Sequence, residues 1–332
     1  MTQLVDTFGR EHRDLRISLT DHCNLRCTYC MPAEGVPWLP RQSLLTPEEL
    51  MRIVRIGLSR GITEVRLTGG EPLLRPDVVE IVARIAALQT PTGEHPEVSI
   101  TTNGIGLAKI AEDLADAGLA RANVSLDTLN PERFHQLTRR NRLHDVLEGI
   151  DAALAAGLTP IKVNAVPMRT VNLDEIADLL DWCLDTGLEL RFIEQMPLDA
   201  GRIWSRKSMV TADEVHQILS ERHELTAIPG RGAAPAERFL VDGGPGTVGI
   251  IASVTQPFCG ACDRLRLTAD GQLRSCLFSR TESDLRTPMR EGASDEELAA
   301  IFHRCLEGKL PGHGINEPGF LQPDRPMSAI GG

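Results

Sequence analysis

The sequence has no excess of positive charge and no long apolar segment, and both absences restrict its function. It contains 35 Lys and Arg against 46 Asp and Glu in 332 residues, a net charge of −11. A general nucleic-acid or membrane-surface binder normally carries a basic face, so we expect neither. No segment reaches the roughly 20 apolar residues of a membrane span. The first residues, MTQLVDTFGREHRD, also lack the apolar core of a signal peptide, so we expect a cytoplasmic protein.

Short β-branched segments alternate with longer amphipathic segments from residue 14 to about residue 195. The strand candidates are LRISLT, EVRLTGG, EVSITTNG, RANVSLD, IKVNAV and ELRFIEQ. The helix candidates are TPEELMRIVRIGLSR, RPDVVEIVARIAAL, GLAKIAEDLADAG, LHDVLEGIDAALAAG and NLDEIADLLDWCLDTG. Six such units with right-handed crossovers predict an α/β protein with an incomplete (βα)6 TIM-type barrel rather than a flat doubly wound sheet.

The pattern of the sequence changes after residue 225. The Gly-, Pro- and Ala-rich segment AIPGRGAAPAERFLVDGGPG favours a domain boundary there, which divides the chain into residues 1–225 and 226–332. Beyond it lie the strand candidate TVGIIASV and the segment RLRLTADGQLRS, whose Asp-Gly pair predicts a hairpin turn. We predict a small C-terminal α+β domain that closes the mouth of the barrel.

Six of the eight cysteines fall into two groups, and we expect Cys183 and Cys305 to be buried apolar residues. Because a cytosol is reducing, grouped cysteines there indicate metal or redox chemistry rather than disulfides. The segment DHCNLRCTYCMP contains Cys23, Cys27 and Cys30, with no fourth cysteine nearby. Three thiolates on a four-iron cube leave one iron open to chelate a small molecule. The alternative is a zinc site completed by His22 or by a distant ligand, although zinc motifs usually begin with a C-x2-C pair.

The segment PFCGACDRLRLTADGQLRSC contains a second group of three cysteines, Cys259, Cys262 and Cys276. A lone C-x2-C pair commonly binds zinc, but two incomplete groups in one chain favour two four-iron clusters. Arg264 and Arg266 are two residues apart and share one face of a strand. Their guanidinium groups suit phosphate oxygens, so we interpret them as a phosphate clamp rather than as a solvated basic face.

Further cations lie within the predicted barrel strands, namely Arg16, Arg66, Lys162 and Arg191. A charge inside a strand is costly unless it has a partner, so these residues predict a polyanionic ligand. A contact between a guanidinium and a phosphate is worth about 4 kcal/mol before desolvation is subtracted, at an effective dielectric constant of about 20. Several such contacts could hold a triphosphate.

Other candidate ligand contacts follow the barrel strands. Gly69 and Gly70 in TGGEP lack a Cβ, which lets a ligand approach the backbone. Ser125 in VSLD and Met196 in IEQMP follow strands four and six, at the end where barrel enzymes have their active sites. Each of these residues alone also fits a plain turn, a helix cap or a core position.

The CxxxCxxC spacing after the first strand resembles that of the radical S-adenosylmethionine (SAM) enzymes. In that family the open iron binds the amino and carboxylate groups of SAM, and homolysis of a C–S bond releases a 5'-deoxyadenosyl radical. The resemblance implies a partial barrel at residues 1–225 and a C-terminal domain for an auxiliary cluster. It also implies that SAM is bound by Tyr29, Gly70, Ser125 and Met196.

The resemblance narrows to the branch of this family that cyclises GTP in molybdenum cofactor biosynthesis. It extends from LRISLTDHCNLRCTYCMP through RLTGGEPLLR and RFIEQMP to FCGACDRLRLTADGQLRSCLF and RPMSAIGG. It implies a lyase that forms (8S)-3',8-cyclo-7,8-dihydroguanosine 5'-triphosphate after abstraction of the 3' hydrogen. The open iron of a second [4Fe-4S] cluster would bind guanine. The residues implied in GTP binding are Arg16, Arg66, Thr101, Lys162, Arg264, Leu265 and Arg266, with Arg191 as a possible addition.

The chain ends in Gly331 and Gly332. A terminus is often disordered, but the resemblance implies that this tail enters the active site, accompanied by Arg325. It also implies a flavodoxin- or ferredoxin-type electron donor, cyclic pyranopterin monophosphate synthase as the next enzyme, and a homodimer. Two alternatives stay open, a radical SAM enzyme that acts on a peptide or another nucleotide, and a zinc-stabilised nucleotide-binding module without catalysis.

Overall fold

Parallel strands form the centre of the fold, as seen in a computed structural model that describes residues 3–331. The first six strands lie side by side in chain order, and each pairs in parallel with the next. The strands are β1 Asp14–Ser18, β2 Glu64–Thr68, β3 Glu97–Thr102, β4 Arg121–Ser125, β5 Lys162–Ala165, β6 Glu189–Ile193, β7 Leu225–Ile228, β8 Glu237–Val241, β9 Thr247–Ile251, β10 Arg264–Leu267, β11 Gln272–Arg274 and β12 Ser283–Asp284. The prediction of an incomplete (βα)6 barrel is confirmed.

Helices follow the central strands and cover the outer face of the sheet, except the last one, which belongs to the C-terminal tail and contributes to the cavity on the opposite face. They are α1 Pro47–Ser59, α2 Val78–Ala86, α3 Ala111–Asp116, α4 Pro131–Thr138, α5 Leu143–Ala155, α6 Ile176–Asp185, α7 Ala212–Ser220, α8 Arg286–Arg290, α9 Asp295–Glu307 and α10 Met327–Ile330. Reciprocal capping boxes fix the starts of α1, α7 and α9, where Thr or Ser and a Glu three residues later satisfy free backbone N–H groups. Within residues 3–331, no helix is long and apolar enough to cross a membrane.

The two faces of the central strands have different chemistry because side chains alternate along a strand. On β1, Leu15 and Ile17 are fully buried against the helices. Arg16 lies between them in sequence, and its side chain lines a cavity on the opposite face of the sheet. The apolar set belongs to one large core that also contains Leu265 of β10 and Phe302 of α9. The inner face is therefore free to carry polar and charged residues.

The C-terminal strands extend both edges of the central sheet instead of forming a separate sheet. Strand β10 pairs in parallel with β1, and β9 pairs in parallel with β6. Antiparallel strands continue each edge, β11 and β12 on one side and β8 and β7 on the other. The Asp-Gly turn between β10 and β11 forms the predicted hairpin. The Gly- and Pro-rich segment at 227–246 contains β8, so the division at residue 225 stays a prediction.

Candidate active site

A cavity of about 340 Å³ lies on the inner face of the sheet, and both groups of cysteines line it. It also receives many of the residues that the sequence singled out. Its lining includes Arg16, Tyr29, Arg66, Gly70, Thr101, Ser125, Arg191, Met196, Arg264 and Arg266. These residues come from six strands and the loops that follow them, so the fold brings together segments more than 200 residues apart. Their individual roles stay predictions.

Three predicted site residues are not among those that line the cavity. The side chain of Leu265 is fully buried in the core, so any contact it makes with a nucleotide is through its backbone. Lys162 is partly buried on β5, where it pairs in register with Asn123 and Glu189. Gly331 lies beside Arg266, whose Nη1 donates a hydrogen bond to the Gly331 carbonyl. Gly332 falls outside the described residues.

The loop that carries Cys23, Cys27 and Cys30 packs directly against the TGGEP turn. The N–H groups of Gly70 and Glu71 donate hydrogen bonds of 2.7 Å to the carbonyls of Thr20 and His22. A Cβ on Gly70 would overlap the His22 carbonyl oxygen. The missing Cβ therefore admits the backbone of the cysteine loop, whereas we expected it to admit a ligand.

Burial strongly disfavours thiolates in the first group of cysteines. Burial, together with the neighbouring Cys23, raises the pKa of Cys30 to about 12. Burial and the nearby Cys30 and Asp127 raise the pKa of Cys27 well above its usual value. Thiolates at these positions therefore need a positively charged centre to bind them.

The second group has cations of its own. Arg264 Nε lies 3.3 Å and Lys309 Nζ lies 3.7 Å from Cys262 Sγ. Burial alone would raise the pKa of Cys262, but these two cations outweigh it and lower the pKa to about 7. The Nη2 atom of Arg264 is buried and has no hydrogen-bond partner within residues 3–331. That donor remains available to a ligand in the cavity.

A cluster of arginines lines the same cavity as the two groups of cysteines. Arg16 is in register with Arg66 on one side and with Arg266 on the other. Burial lowers the pKa of Arg16 to about 10, an effect that the nearby Asp14 opposes and that Arg66 and Arg264 reinforce. Burial and neighbouring arginines also lower the pKa of Arg266 to about 9. A bound polyanion would relieve this repulsion.

Asp127 is a buried carboxyl group in the cavity wall that the sequence did not reveal. Tyr29 donates its hydroxyl hydrogen to Asp127 Oδ2 at 2.8 Å, and the Val166 N–H donates to Oδ1 at 2.8 Å. Burial raises the pKa of Asp127 to about 6. The hydrogen bond to Asp127 fixes the orientation of the Tyr29 ring. A lone Asp after a strand carries no sequence signal of such a role.

The C-terminal tail lies in the cavity as a short helix, α10. Met327 and Ser328 line the cavity, and the next residues lead to Gly331. The tail is anchored by Arg325, which donates two hydrogen bonds of 2.9 Å to the Asp270 carboxylate. Gly331 has a φ of +70°, and a Cβ on it would lie 2.6 Å from Thr68 Oγ1. Glycine is therefore required at this position.

Comparisons with known proteins place the chain in a family. Residues 17–183 match the model of the Radical SAM superfamily, and residues 188–315 match that of Molybdenum Cofactor Synthesis C. The GTP 3',8-cyclase of Streptomyces coelicolor is 59% identical over 99% of this chain and 96% of its own length. That of Mycolicibacterium smegmatis is 56% identical over 99% of this chain and 92% of its own length. This chain belongs to the GTP 3',8-cyclase family.

The fold also resembles solved structures outside the GTP 3',8-cyclase family. Streptococcus suis SuiB matches with a TM-score of 0.61 at 16% identity, over 92% of this chain and 68% of that chain. SuiB bound to S-adenosylmethionine matches with a TM-score of 0.60 at 16% identity, over 88% and 68%. At this identity the likeness shows the fold alone.

The residues of this GTP 3',8-cyclase family member fit the cofactors of radical SAM enzymes, which are SAM and iron–sulfur clusters. All eight cysteines are free thiols. Across residues 3–331, no three His, Cys, Asp or Glu side chains converge where one metal ion could sit. A four-iron cube does not need such convergence, because each thiolate binds a different iron. Two groups of three thiols at one cavity therefore fit two cubes with open corners.

Proposed function

We propose that this chain converts GTP to (8S)-3',8-cyclo-7,8-dihydroguanosine 5'-triphosphate in molybdenum cofactor biosynthesis. One observation carries the proposal, namely that two groups of three cysteines and a cluster of largely buried arginines line one cavity. Radical generation and triphosphate binding need these two kinds of group in one place. Membership of the GTP 3',8-cyclase family supports the same reaction.

Each group of cysteines would hold one [4Fe-4S] cluster, Cys23, Cys27 and Cys30 the first and Cys259, Cys262 and Cys276 the second. When bound, the first cluster and SAM supply the 5'-deoxyadenosyl radical that removes the ribose 3' hydrogen. The residues we assign to SAM are Tyr29, Gly70, Ser125 and Met196. The hydrogen bond from Tyr29 to Asp127 would keep the tyrosine ring in one orientation against the adenine.

The arginines would hold the triphosphate and so fix the ribose. Arg16 and Arg266 are adjacent in register, and the free Nη2 of Arg264 lies in the same cavity wall. Together with Arg66 and Lys162 they would neutralise the phosphates and keep C3' of the ribose in place. Holding the reacting atoms at a fixed separation is the main contribution of the protein, since a misplaced radical attacks other groups.

The wider setting of the reaction is also proposed. We infer an electron donor of the flavodoxin or ferredoxin type, and cyclic pyranopterin monophosphate synthase as the enzyme that takes the product. We further propose a homodimer and a cytoplasmic location. The grouped free cysteines support the cytoplasmic location, because free thiols persist in reducing compartments. We also propose that the chain divides into two domains, residues 1–225 and residues 226–332.

The experiment that tests the function uses GTP labelled with deuterium at C3'. The protein is purified without oxygen, loaded with iron and sulfide, and incubated with SAM, dithionite and the labelled GTP. We expect deuterium in 5'-deoxyadenosine and a cyclised triphosphate, both by mass spectrometry. Cys27→Ala serves as the control and should form neither. Zinc in place of iron, or 5'-deoxyadenosine without deuterium, would overturn the proposal.

A further inference from the structure

The segment that follows helix α9 contacts the second group of cysteines. Lys309 is a buried residue of this segment, with only 5% of its surface exposed. Its Nζ donates hydrogen bonds to the carbonyls of Ser275 at 2.8 Å and Arg264 at 3.1 Å, and it lies 3.7 Å from Cys262 Sγ. The Lys309 ammonium group therefore links the backbone two residues after Cys262 to the backbone immediately before Cys276.

A residue of the N-terminal segment, Arg10, binds the backbone of Cys259, the remaining cysteine of this group. Arg10 is also buried, and its Nη1 donates to the carbonyls of Cys259 at 2.7 Å and Pro311 at 3.1 Å. Its Nη2 donates to the carbonyl of Leu310 at 2.8 Å. Arg10 thus joins the Cys259 backbone to the two residues that follow Lys309.

Asp6 fixes the orientation of Arg10. The Asp6 carboxylate accepts hydrogen bonds from Arg10 Nε at 2.5 Å and from the Phe8 N–H at 2.9 Å. His12 Nε2 lies 3.1 Å from the same carboxylate. A bridge between Val5 and Glu11 closes residues 4–12 into a hairpin, which we call the N-terminal hairpin. The guanidinium is therefore preorganised by a buried network.

We propose that Arg10 and Lys309 are positioning residues for the second iron–sulfur cluster, an inference that rests on the proposed assignment of Cys259, Cys262 and Cys276 as its ligands. Arg10 fixes the loop that carries Cys259, and Lys309 adds a positive charge beside Cys262. Partners outside the ligand shell orient ligands, and nearby charge sets the potential of a cluster. Because the reduced cluster is the more negative state, the ammonium group stabilises it and raises its reduction potential.

The first test measures the potential of the second cluster alone. In the full chain with Cys23, Cys27 and Cys30 changed to Ala, only the second cluster remains, and redox titration followed by electron paramagnetic resonance gives its midpoint. Lys309→Met should shift the midpoint to a more negative potential. Lys309→Arg, which keeps the charge, and Lys109→Met, at an exposed site, should leave it unchanged. An unchanged midpoint in Lys309→Met would overturn the role of Lys309.

Loss of the second cluster from the Lys309 variants is also informative. If Lys309→Met lacks this iron but Lys309→Arg retains it, the charge is required for assembly, which supports the proposal. If both variants lack it, packing rather than charge holds the loop, and the role of the charge is wrong. In chains with an intact first group, continued cleavage of SAM to 5'-deoxyadenosine shows that the barrel has folded.

The second test concerns Arg10. Arg10→Lys keeps the charge but loses the forked geometry, so the second cluster should lose iron to a chelator roughly tenfold faster or more, the usual scale for such outer partners. Arg13→Ala removes a cation from an exposed ion pair just after the hairpin and should leave the rate unchanged. Equal rates in Arg10→Lys and the parent chain would overturn the assignment. A parent chain that binds no second cluster would instead refute the proposed function.

Discussion

At the scale of single residues, Arg66 has a guanidinium group that its surroundings do not neutralise. Its Nε donates to Ser99 Oγ at 3.3 Å, and it forms no salt bridge with any other described residue. Burial lowers its pKa, and the nearby Arg121 and Arg191 lower it further although Asp14 opposes them. The folded protein without ligand therefore gains little from this charge.

We predict that Arg66→Gln weakens GTP binding about 30-fold, which corresponds to about 2 kcal/mol for a hydrogen bond to a charged group. The same change should not destabilise the protein without ligand, because it removes a repelled buried cation. Calorimetric titration with GTP and urea unfolding check the two parts. Arg55→Gln, at an exposed site on α1, is the control. Unaltered affinity in Arg66→Gln would remove this residue from the binding site.

Glu71 should make the stability of the protein without cofactors depend on pH. Its carboxylate accepts hydrogen bonds from Thr102 Oγ1 at 2.7 Å and from the Asn103 N–H at 2.7 Å. Burial nevertheless raises its pKa from 4.5 to about 7. A raised pKa in the folded state adds stability that is complete below pH 4.5 and is lost as the pH rises to about 7.

We therefore expect the parent protein to lose up to about 3 kcal/mol relative to Glu71→Gln across this range, since one pKa unit corresponds to about 1.4 kcal/mol. Urea unfolding at several pH values measures the difference. Glu112→Gln, at an exposed position, gives the baseline for losing one carboxylate. A constant difference between the parent and Glu71→Gln at every pH would contradict the expectation.

At the scale of the elements, the C-terminal tail that contains α10 has a position, Gly331, where only glycine fits. Gly331→Ala would place a Cβ 2.6 Å from Thr68 Oγ1 at a φ of +70°. Left-handed backbone costs other residues about 1–2 kcal/mol, so we predict a loss of cyclisation of roughly tenfold or more. Iron content and the cleavage of SAM should persist. Gly201→Ala, in a neighbouring loop with space for a Cβ, is the matched control. Full turnover by Gly331→Ala would show that the tail is passive.

Local patterns predicted most elements but not the long-range pairing. Each of the six predicted barrel strands forms within a few residues of its expected position, because alternation and turn residues are local signals. The pairing of β1 with β10 joins residues about 250 positions apart, and neither strand's sequence specifies that partner. Helix α4, which begins at Pro131 after the side-chain cap of Asn130, was also missed.

For the candidate site, too, the sequence predicted some residues and missed others. The cysteines repeat within short segments, and the arginines stand inside predicted strands where a charge is unexpected, so the sequence is enough to single them out. Asp127, Lys309 and Arg10 each stand alone in segments that read as ordinary turns or termini. Their importance depends on distances across the fold, which only the three-dimensional arrangement provides.

At the scale of the whole molecule, one core joins the barrel to the C-terminal strands. Leu265 and Phe302 belong to the same apolar cluster as Leu15 and Ile17. We predict that the protein without cofactors unfolds in one cooperative transition, since β10 and β9 cover both edges of the central sheet. Urea unfolding followed by tryptophan fluorescence and by circular dichroism should give coincident curves. Two separate transitions would contradict this prediction and show that the two proposed domains unfold independently of each other.

The position of Gly331 beside Arg266 has a consequence for how the enzyme is made. Gly331 lies 55 residues after Cys276, the last of the six grouped cysteines, so the tail is synthesised after all of them. The pocket therefore lacks part of its wall until the tail has docked. A maturation factor that delivers iron and sulfur would therefore meet a more open cavity before the tail has docked. After docking, the same cavity would be narrower.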